Sequence, residues 1–82
     1  MYSLELTETA KKFLKKCEKK ETELILNKLQ DVRENPFHYL KRLQGEKLWR
    51  LRVAIYRVIL DVIISGNKIV VLRIGHRKNV YN

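Results

Sequence analysis

The sequence is short of the residues on which secreted scaffolds, cysteine metal centres and membrane spans depend. Among its 82 residues there are one cysteine (Cys17), one proline and three glycines. A single thiol cannot form an intramolecular disulfide or a cysteine-rich metal site, which argues against a secreted disulfide scaffold. No apolar run approaches the roughly 20 residues that cross a bilayer, and the N-terminus lacks a basic start followed by an apolar segment. We therefore expect a soluble, cytoplasmic protein that does not contact a membrane.

Acidic residues are also scarce. Lys and Arg number 18 and Asp and Glu number 9, which gives a formal net charge of +9. Residues 1–42 carry ten basic and seven acidic residues, a difference of +3, and residues 43–82 carry eight and two, a difference of +6. A polyanion is the natural partner of such a chain, and the second half is its more electropositive part. Charge alone does not choose between nucleic acid, an anionic membrane and an acidic protein.

The length predicts one domain over residues 1–82, because a chain this short supports a single hydrophobic core. Apolar and polar residues alternate from Tyr2 to Leu6, which is the pattern of a strand with one solvated face. Thr7 is a suitable N-cap for the helix that follows, in which apolar residues recur at helical spacing. A second helix is predicted over about residues 21–34, ended before Pro36 because the residue preceding a proline avoids the helical region.

The second half of the chain predicts three strands. Residues 48–53 alternate, residues 56–64 form a longer apolar run, and residues 68–74 return after a turn of about three residues at 65–67. The stretch between the last helix and the first of these strands is predicted to be an irregular connector with a turn at Gly45. The order β-α-α-β-β-β follows, an α+β fold in which two helices pack on one face of an antiparallel sheet.

Three arginines are predicted to share one face of that sheet. Alternation puts Arg50 and Arg52 on one side of their strand and the apolar residues around them on the other. A tight connection to the next strand would place Arg57 opposite Arg52. The same register places Arg50 opposite Ile59. If Ile64 pairs with Lys68 across the later turn, three more cross-strand pairs follow: Asp61–Val71, Arg73–Ile59 and Gly75–Arg57.

Such a convergence of guanidinium groups favours a phosphate-binding site. Like charges that face each other across strands cost about 0.2–1 kcal/mol per pair, so the fold itself gains nothing from them. The arrangement makes physical sense when the counter-charge comes from outside, since a guanidinium fork matches two phosphate oxygens at once. The alternative is a solvated sheet face on which long side chains splay apart. For Arg50, Arg52 and Arg57 together we favour the phosphate site.

The C-terminal stretch RIGHRKNVYN adds titratable and basic groups: His76, Arg77, Lys78 and Tyr81. If Gly75 lies opposite Arg57, this stretch begins beside the arginine cluster. We therefore expect titratable groups and cations to share one site.

The stretches KRLQGEKLWRLRVAIYRVILDV and IVVLRIGHRKNVY resemble the RelE/ParE toxin superfamily, and specifically its RelE-type mRNA interferases. The resemblance covers nearly the whole chain and depends on an ordered series: L-x-G, basic-x-basic, Y-R, G-x-R and V-Y. It implies a toxin of a type II toxin–antitoxin system that cleaves mRNA on the ribosome, by attack of a ribose 2′-hydroxyl on the adjacent phosphate. Such an endoribonuclease requires no metal and no cofactor. Its implied partners are the ribosome, mRNA and an acidic, partly disordered antitoxin similar to RelB.

The resemblance also implies catalytic residues, position by position. Arg50 and Arg52 match the basic pair and Arg57 matches the arginine of Y-R. Together they would clamp the scissile phosphate. Arg77 matches the basic residue after the last strand and would act as an electrostatic stabiliser, because a guanidinium is a poor proton donor. Tyr81 matches the tyrosine of V-Y and is the candidate general base, helped by cations that lower a phenol pKa normally near 10.

Other residues are candidates on chemistry or charge alone. His76 is an alternative for proton transfer, because imidazole titrates near neutrality, although a histidine at a strand end is more often an ordinary surface residue. Five lysines either form a solvated surface or extend the contact with mRNA and ribosomal RNA: Lys11, Lys12, Lys15, Lys47 and Lys78.

Two other functions fit the same residues. A ParE-like toxin with this fold would bind and inhibit DNA gyrase without cleaving RNA. A nuclease-inactive RNA-binding module would use the arginines for phosphate contacts alone. The basic pair, Arg77 and Tyr81 favour the RNase over the gyrase inhibitor.

Overall fold

The computed structural model describes residues 1–43, 45 and 47–76. These residues form eight elements in the order β1 (Ser3–Leu6), α1 (Glu8–Lys16), α2 (Lys19–Glu34), α3 (Pro36–Tyr39), β2 (Lys41–Arg42), β3 (Trp49–Val53), β4 (Tyr56–Ile63) and β5 (Lys68–His76). The strands make one sheet in the order β1-β5-β4-β3-β2. Neighbouring strands are antiparallel except β1 and β5, which run parallel.

The α+β order and the packing of the helices on one face of the sheet are confirmed. The sheet itself is mixed, so the prediction that it is antiparallel holds for β2 to β5 only. The parallel pair arises because β1 joins the far edge, beside β5, with Ser3 aligned to Lys68. The helices between β1 and the remaining strands contribute to the long crossover that a parallel pair requires.

Thr7 caps α1 as expected and also ties it to the sheet. Its backbone is extended, with ψ 164°, and its Oγ1 accepts a hydrogen bond from the Ala10 amide at 3.2 Å. The same hydroxyl donates to the Leu72 carbonyl of β5 at 2.7 Å. One side chain therefore satisfies a free amide at the helix start and fixes the helix against the sheet.

The core lies between the helices and one face of the sheet, here called the helix face. Apolar residues at helical spacing on α1 and α2 meet alternate residues of β3, β4 and β5. The largest fully buried side chains are Ile25, Leu29, Leu51, Leu60, Ile69, Val32, Val58 and Val71. Trp49 is half-buried against this core, with the Phe37 ring at 5.3 Å and the Arg42 guanidinium at 5.1 Å from its ring centroid.

The predicted irregular connector was wrong in part, because it contains a helix and a strand. Asn35 ends α2 and precedes α3, in which Pro36 occupies the first turn, where the missing amide of proline costs nothing. The two residues of β2 then pair with Arg50 and Trp49. The turn at Gly45 is confirmed, with φ 77° in the left-handed region that glycine adopts without strain.

The β4–β5 register was predicted with one error that a β-bulge corrects. Ile63, not Ile64, pairs with Lys68, so the turn has four residues and Asp61 lies opposite Val70 rather than Val71. The turn includes Asn67 at φ 50°, a conformation that asparagine tolerates better than most residues. The register then shifts beyond Leu60 and Ile59, which restores the predicted pairs Ile59–Arg73 and Arg57–Gly75.

Replacement of Thr7 tests its double role. We expect Thr7→Ala to lower the free energy of unfolding by about 1–2 kcal/mol, since it removes the cap and the bond to Leu72. Thr7→Ser keeps the hydroxyl and should lose less than half of that. Urea denaturation followed by circular dichroism measures both. Thr9→Ala, at an exposed site in the first turn of the same helix, should be neutral or slightly stabilising. Equal losses for Thr7→Ala and Thr7→Ser would contradict the role of the hydroxyl.

Candidate functional site

The face of the sheet opposite the helices carries the predicted arginine cluster. Arg52 pairs with Arg57 and Arg50 pairs with Ile59, as alternation along the strands predicts. Ile59 also pairs with Arg73 on its other side. We call the surface formed by Arg50, Arg52, Arg57 and Arg73 the arginine face. The basic side chains of β3, β4 and β5 are thus brought together across three neighbouring strands.

Ile59 shows how closely these side chains cover the sheet. It points away from the core between the helices and the sheet and yet is only 3% exposed. Its described neighbours on this side of the sheet are Arg50 on β3, Arg73 on β5, and Arg57 and Asp61, each two residues away on its own strand. Arginine side chains can cover a neighbouring apolar residue with their aliphatic stems while their charged ends reach outward.

The side chains of the arginine face are partly constrained by the rest of the protein. Arg50 and Arg57 are half-buried, and the Nε atom of Arg57 is shielded from solvent. Arg52, Arg57 and Arg73 each interact with other groups of the chain. Side chains held in this way lose less conformational freedom when they bind a ligand than freely rotating ones. This favours the phosphate-site interpretation over splayed, solvated arginines.

A cavity of about 330 Å³ lies at the edge of β3, next to the arginine face. We call it the edge pocket. Its described lining comes from α2, α3, β2 and β3 and consists of Lys28, His38, Tyr39, Lys41, Arg50, Leu51 and Arg52. The sequence does not predict four of these polar residues as site residues: Lys28, His38, Tyr39 and Lys41. The last three lie in the segment predicted to be irregular, and the signal for them is the aromatic and basic composition of FHYLKR. Lys28 lies on α2, and nothing in the sequence sets it apart from the other lysines.

A second cavity, of about 400 Å³, lies on the helix face where β4 begins and β5 ends. We call it the tyrosine pocket. It is lined by Phe13, Lys16, Cys17, Glu18, Glu21, Tyr56 and His76. The Tyr56 ring packs edge-on against Phe13 at 5.8 Å and lies 5.3 Å from the His76 ring. Carboxylates and aromatic rings thus meet here in an otherwise basic protein.

The tyrosine pocket disfavours ionisation of its phenol and thiol. Burial raises the pKa of Tyr56, and the negative charge of Glu21 and a hydrogen bond to its carboxylate raise it further. Burial also raises the pKa of Cys17, with Glu21 again contributing. Cys17 is half-buried rather than buried, and it serves as the C-cap of α1. A protonated thiol is a poor nucleophile, which agrees with a packing role.

The structure separates His76 from the arginines. His76 pairs with Tyr56 across β4 and β5 and lies against its ring on the helix face, whereas Arg57 and Gly75 lie on the other face. The expectation that titratable groups and cations share one site is therefore not met for this histidine. Arg77, Lys78 and Tyr81 lie outside the described residues.

The remaining predicted RNA-binding lysines are spread over the surface. Lys11, Lys12 and Lys15 are exposed on α1, which packs on the helix face, and Lys11 lies 3.6 Å from the Glu8 carboxylate. Lys47 is exposed in the segment between β2 and β3. The α1 lysines therefore lie on the opposite side of the sheet from the arginine face. Their predicted contact with ribosomal RNA stays a prediction.

Within residues 1–43, 45 and 47–76, no group of three His, Cys, Asp or Glu side chains is placed to hold a metal ion. No helix in the described part of the chain is long and apolar enough to span a membrane. The arginine face itself offers fixed positive charge and hydrogen-bond donors to an anion.

Comparisons with known proteins agree with this architecture. A model of the ParE toxin family of type II toxin–antitoxin systems (parDE) matches residues 4–81. The intact E. coli RelBE complex is similar at 25% identity with a TM-score of 0.80, over 93% of this chain and 96% of that one. The isolated E. coli RelE toxin gives 26% and 0.80, over 99% and 92%. The RelBE2 complex of Mycobacterium tuberculosis, at 24% and 0.84 over 93% and 98%, supports the fold alone. The comparison with curated proteins finds no match.

A mixed sheet with its helices on one face and its strands in this order defines the toxin fold of the RelE/ParE superfamily. The chain belongs to the ParE toxin family and is a toxin of a type II toxin–antitoxin system.

The raised pKa of Tyr56 predicts a stability change at alkaline pH. An unfolded phenol ionises near pH 10. Because Tyr56 resists ionisation in the folded protein, its contribution to stability is present below that pH and is lost as the pH rises above it. Tyr56→Phe has no such proton to lose. Between pH 9 and pH 11, the free energy of unfolding of the wild type should therefore fall relative to that of Tyr56→Phe, as measured by urea denaturation. A difference that is constant with pH would show that the folded and unfolded phenols ionise alike.

Proposed function

We propose that the toxin is a metal-independent endoribonuclease that binds mRNA on its arginine face and cleaves it on the ribosome. The observation that carries the proposal is the pairing of Arg52 with Arg57, flanked by Arg50, on one surface of the sheet. The positions that resemble the phosphate clamp of RelE-type interferases therefore converge. Several guanidinium groups on one surface, two of them half-buried, suit the binding of a phosphodiester and of the extra negative charge of its transition state.

The proposed reaction is an internal transesterification. The ribose 2′-oxygen attacks the adjacent phosphorus while its proton passes to the Tyr81 oxygen, and the bond to the 5′-oxygen of the next nucleotide breaks. The leaving oxygen takes up a proton, and the products are a 2′,3′-cyclic phosphate and a 5′-hydroxyl. Arg50, Arg52 and Arg57 hold the phosphate oxygens throughout, and Arg77 adds positive charge. These roles rest on the resemblance for each residue.

The proton donor to the leaving oxygen is open between His76 and water. The position of His76 against Tyr56, on the helix face, counts against the histidine. Arg77 is unsuited because its guanidinium stays protonated. Water held by the cationic site is then the simpler donor.

The arginine clamp predicts a large loss of cleavage on truncation. We expect Arg52→Ala to reduce the rate of mRNA cleavage about 10- to 150-fold, since a hydrogen bond to a charged group contributes about 1.5–3 kcal/mol. Arg52→Lys keeps the charge and should lose less. Primer extension on an mRNA translated in vitro measures both. Lys20→Ala, an exposed change on α2, is the control for total charge. Unchanged cleavage in a folded Arg52→Ala protein would refute the clamp.

The general-base role of Tyr81 predicts a separation of binding from chemistry. Tyr81→Phe should bring cleavage close to background while leaving association with the ribosome within about twofold, because only the ionisable hydroxyl is lost. Single-turnover cleavage and co-sedimentation with ribosomes provide the two readouts. Full activity in Tyr81→Phe would transfer the base to another group.

Gyrase inhibition is the second candidate function, and the match to the ParE family model favours it. A toxin of that kind would stall DNA replication and leave the message intact. Induction of the toxin in cells, followed by primer extension on mRNA and a supercoiling assay with purified gyrase, separates the two functions. Intact mRNA together with inhibited supercoiling would replace the RNase proposal.

The proposed protein partner is an acidic antitoxin, alongside the ribosome and mRNA. The similar E. coli structure is an intact complex of RelB with RelE. The net charge of +9 would speed association with an acidic chain and make it sensitive to salt. The antitoxin would then inhibit the toxin either by covering the arginine face or by making the complex too large to enter the ribosome.

A further inference from the structure

The edge pocket exists because β2 is too short to cover β3. Lys41 and Arg42 pair with Arg50 and Trp49, and in the described part of the chain no other strand continues along that edge. The edge of β3 is therefore open from Leu51 onward. Since α3 leads directly into β2, its last residues stand beside this open edge. The cavity of about 330 Å³ lies between them.

The charge of the edge pocket calls for an anion. Lys28, Lys41, Arg50 and Arg52 supply four cations from three different elements, and its described lining residues include no carboxylate. Like charges gathered around one cavity repel each other, and an anionic group in the cavity relieves that repulsion. Phosphate is a suitable occupant, because lysine and arginine both bind it well.

Two rings in the pocket narrow the class of anion. The Tyr39 ring is half-buried against the core, and the Lys28 ammonium lies over one face of the ring, 4.4 Å from its centroid. The His38 ring meets it edge-on at 4.7 Å. Rings fixed next to cations bind nucleobases by stacking while the cations hold the phosphates. A carboxylate side chain of a protein partner would pair with the cations but would not stack on the rings.

The size and the position of the edge pocket also fit a nucleotide. The cavity is at the small end of the range of about 300–1,000 Å³ typical of ligand sites, with room for one nucleotide. Arg50 and Arg52 belong to both the edge pocket and the arginine face. An RNA strand with one phosphate on the arginine face would thus bring a neighbouring nucleotide to the edge pocket.

We propose that the edge pocket is a nucleotide subsite, in which Lys28 leaves the face of the Tyr39 ring and joins Lys41 on a phosphate of single-stranded RNA, while the base beside that phosphate stacks on the ring face. The subsite rests on the proposed function for its link to cleavage, but not for its ability to bind RNA. Its residues would influence where the strand is cut, because they hold a nucleotide next to the scissile phosphate.

The test uses a 5′-phosphorylated RNA trinucleotide with 2′-O-methyl groups, which cannot undergo attack by its own 2′-oxygen. Titrated into the ¹⁵N-labelled toxin at up to millimolar concentration, it should shift the amide signals of Lys28, His38 and Tyr39. We expect Lys28→Gln to weaken binding about fivefold and Tyr39→Leu about 5- to 100-fold. Tyr39→Phe keeps the ring and should bind within twofold of wild type, as should Lys20→Gln on the exposed start of α2.

Several outcomes would overturn the subsite. They are the absence of shifts around Tyr39 in the wild type, and binding within twofold of wild type for both Lys28→Gln and Tyr39→Leu. Weakened binding of an acidic antitoxin by these variants, with RNA binding intact, would assign the pocket to protein instead. Since Tyr39 packs on the core, Lys28→Gln decides the matter if Tyr39→Leu does not fold.

Cleavage assays separate this inference from the proposed function. With mRNA as substrate, Lys28→Gln and Tyr39→Leu should raise KM and redistribute the cut sites while kcat changes little. If the toxin binds the trinucleotide through the pocket and never cleaves mRNA, the proposed function fails and the subsite stands. Unaltered cut sites and KM in both variants would leave the RNase in place and remove the subsite.

Discussion

The register of β3 against β4 is set by the apolar side chains that these strands bury beneath the helices. Leu51 and Val58 face each other in the core, so the residues on either side of them must face outward. A slip of one residue would send arginines into the core and expose the leucine and valine, which no ordinary fold can tolerate. The arginine face is therefore a consequence of core burial: hydrophobic packing on one side of the sheet places the cations on the other.

The same principle explains which features the sequence could predict. Alternation and tight turns are local, so the pairs Arg52–Arg57 and Arg50–Ile59 followed from the pattern alone. The bulge near Ile59 could not be predicted, because its effect depends on fitting Ile74 to the core after a turn longer by one residue. The predicted placement of Arg73 was right because two deviations from ideal register cancelled. The parallel β1 depends on the crossover of the whole helical pair, which strand patterns do not encode.

The edge pocket was missed for a related reason. Pro36 predicts that the preceding helix stops before it, as α2 does at Glu34, but proline equally suits the first turn of the next helix. Four residues of α3 and two of β2 are too few to show a period of their own. The residues that line the pocket come together only when α2, α3 and β3 are assembled. Short elements between long ones thus build the part of the surface that depends most on tertiary structure.

The two faces of the sheet hold their titratable groups in opposite electrostatic environments. On the helix face, burial and Glu21 keep the Tyr56 phenol protonated, so this tyrosine is a poor proton acceptor despite lying one residue from Arg57. On the arginine face, positive charge would lower the pKa of a phenol brought among the guanidinium groups. For the proposed cleavage of RNA, a tyrosine can therefore act as the base only if it approaches the sheet from the side opposite the helices. That requirement, and not the number of tyrosines in the chain, restricts the choice of base in the proposed reaction to a residue that reaches the arginine face.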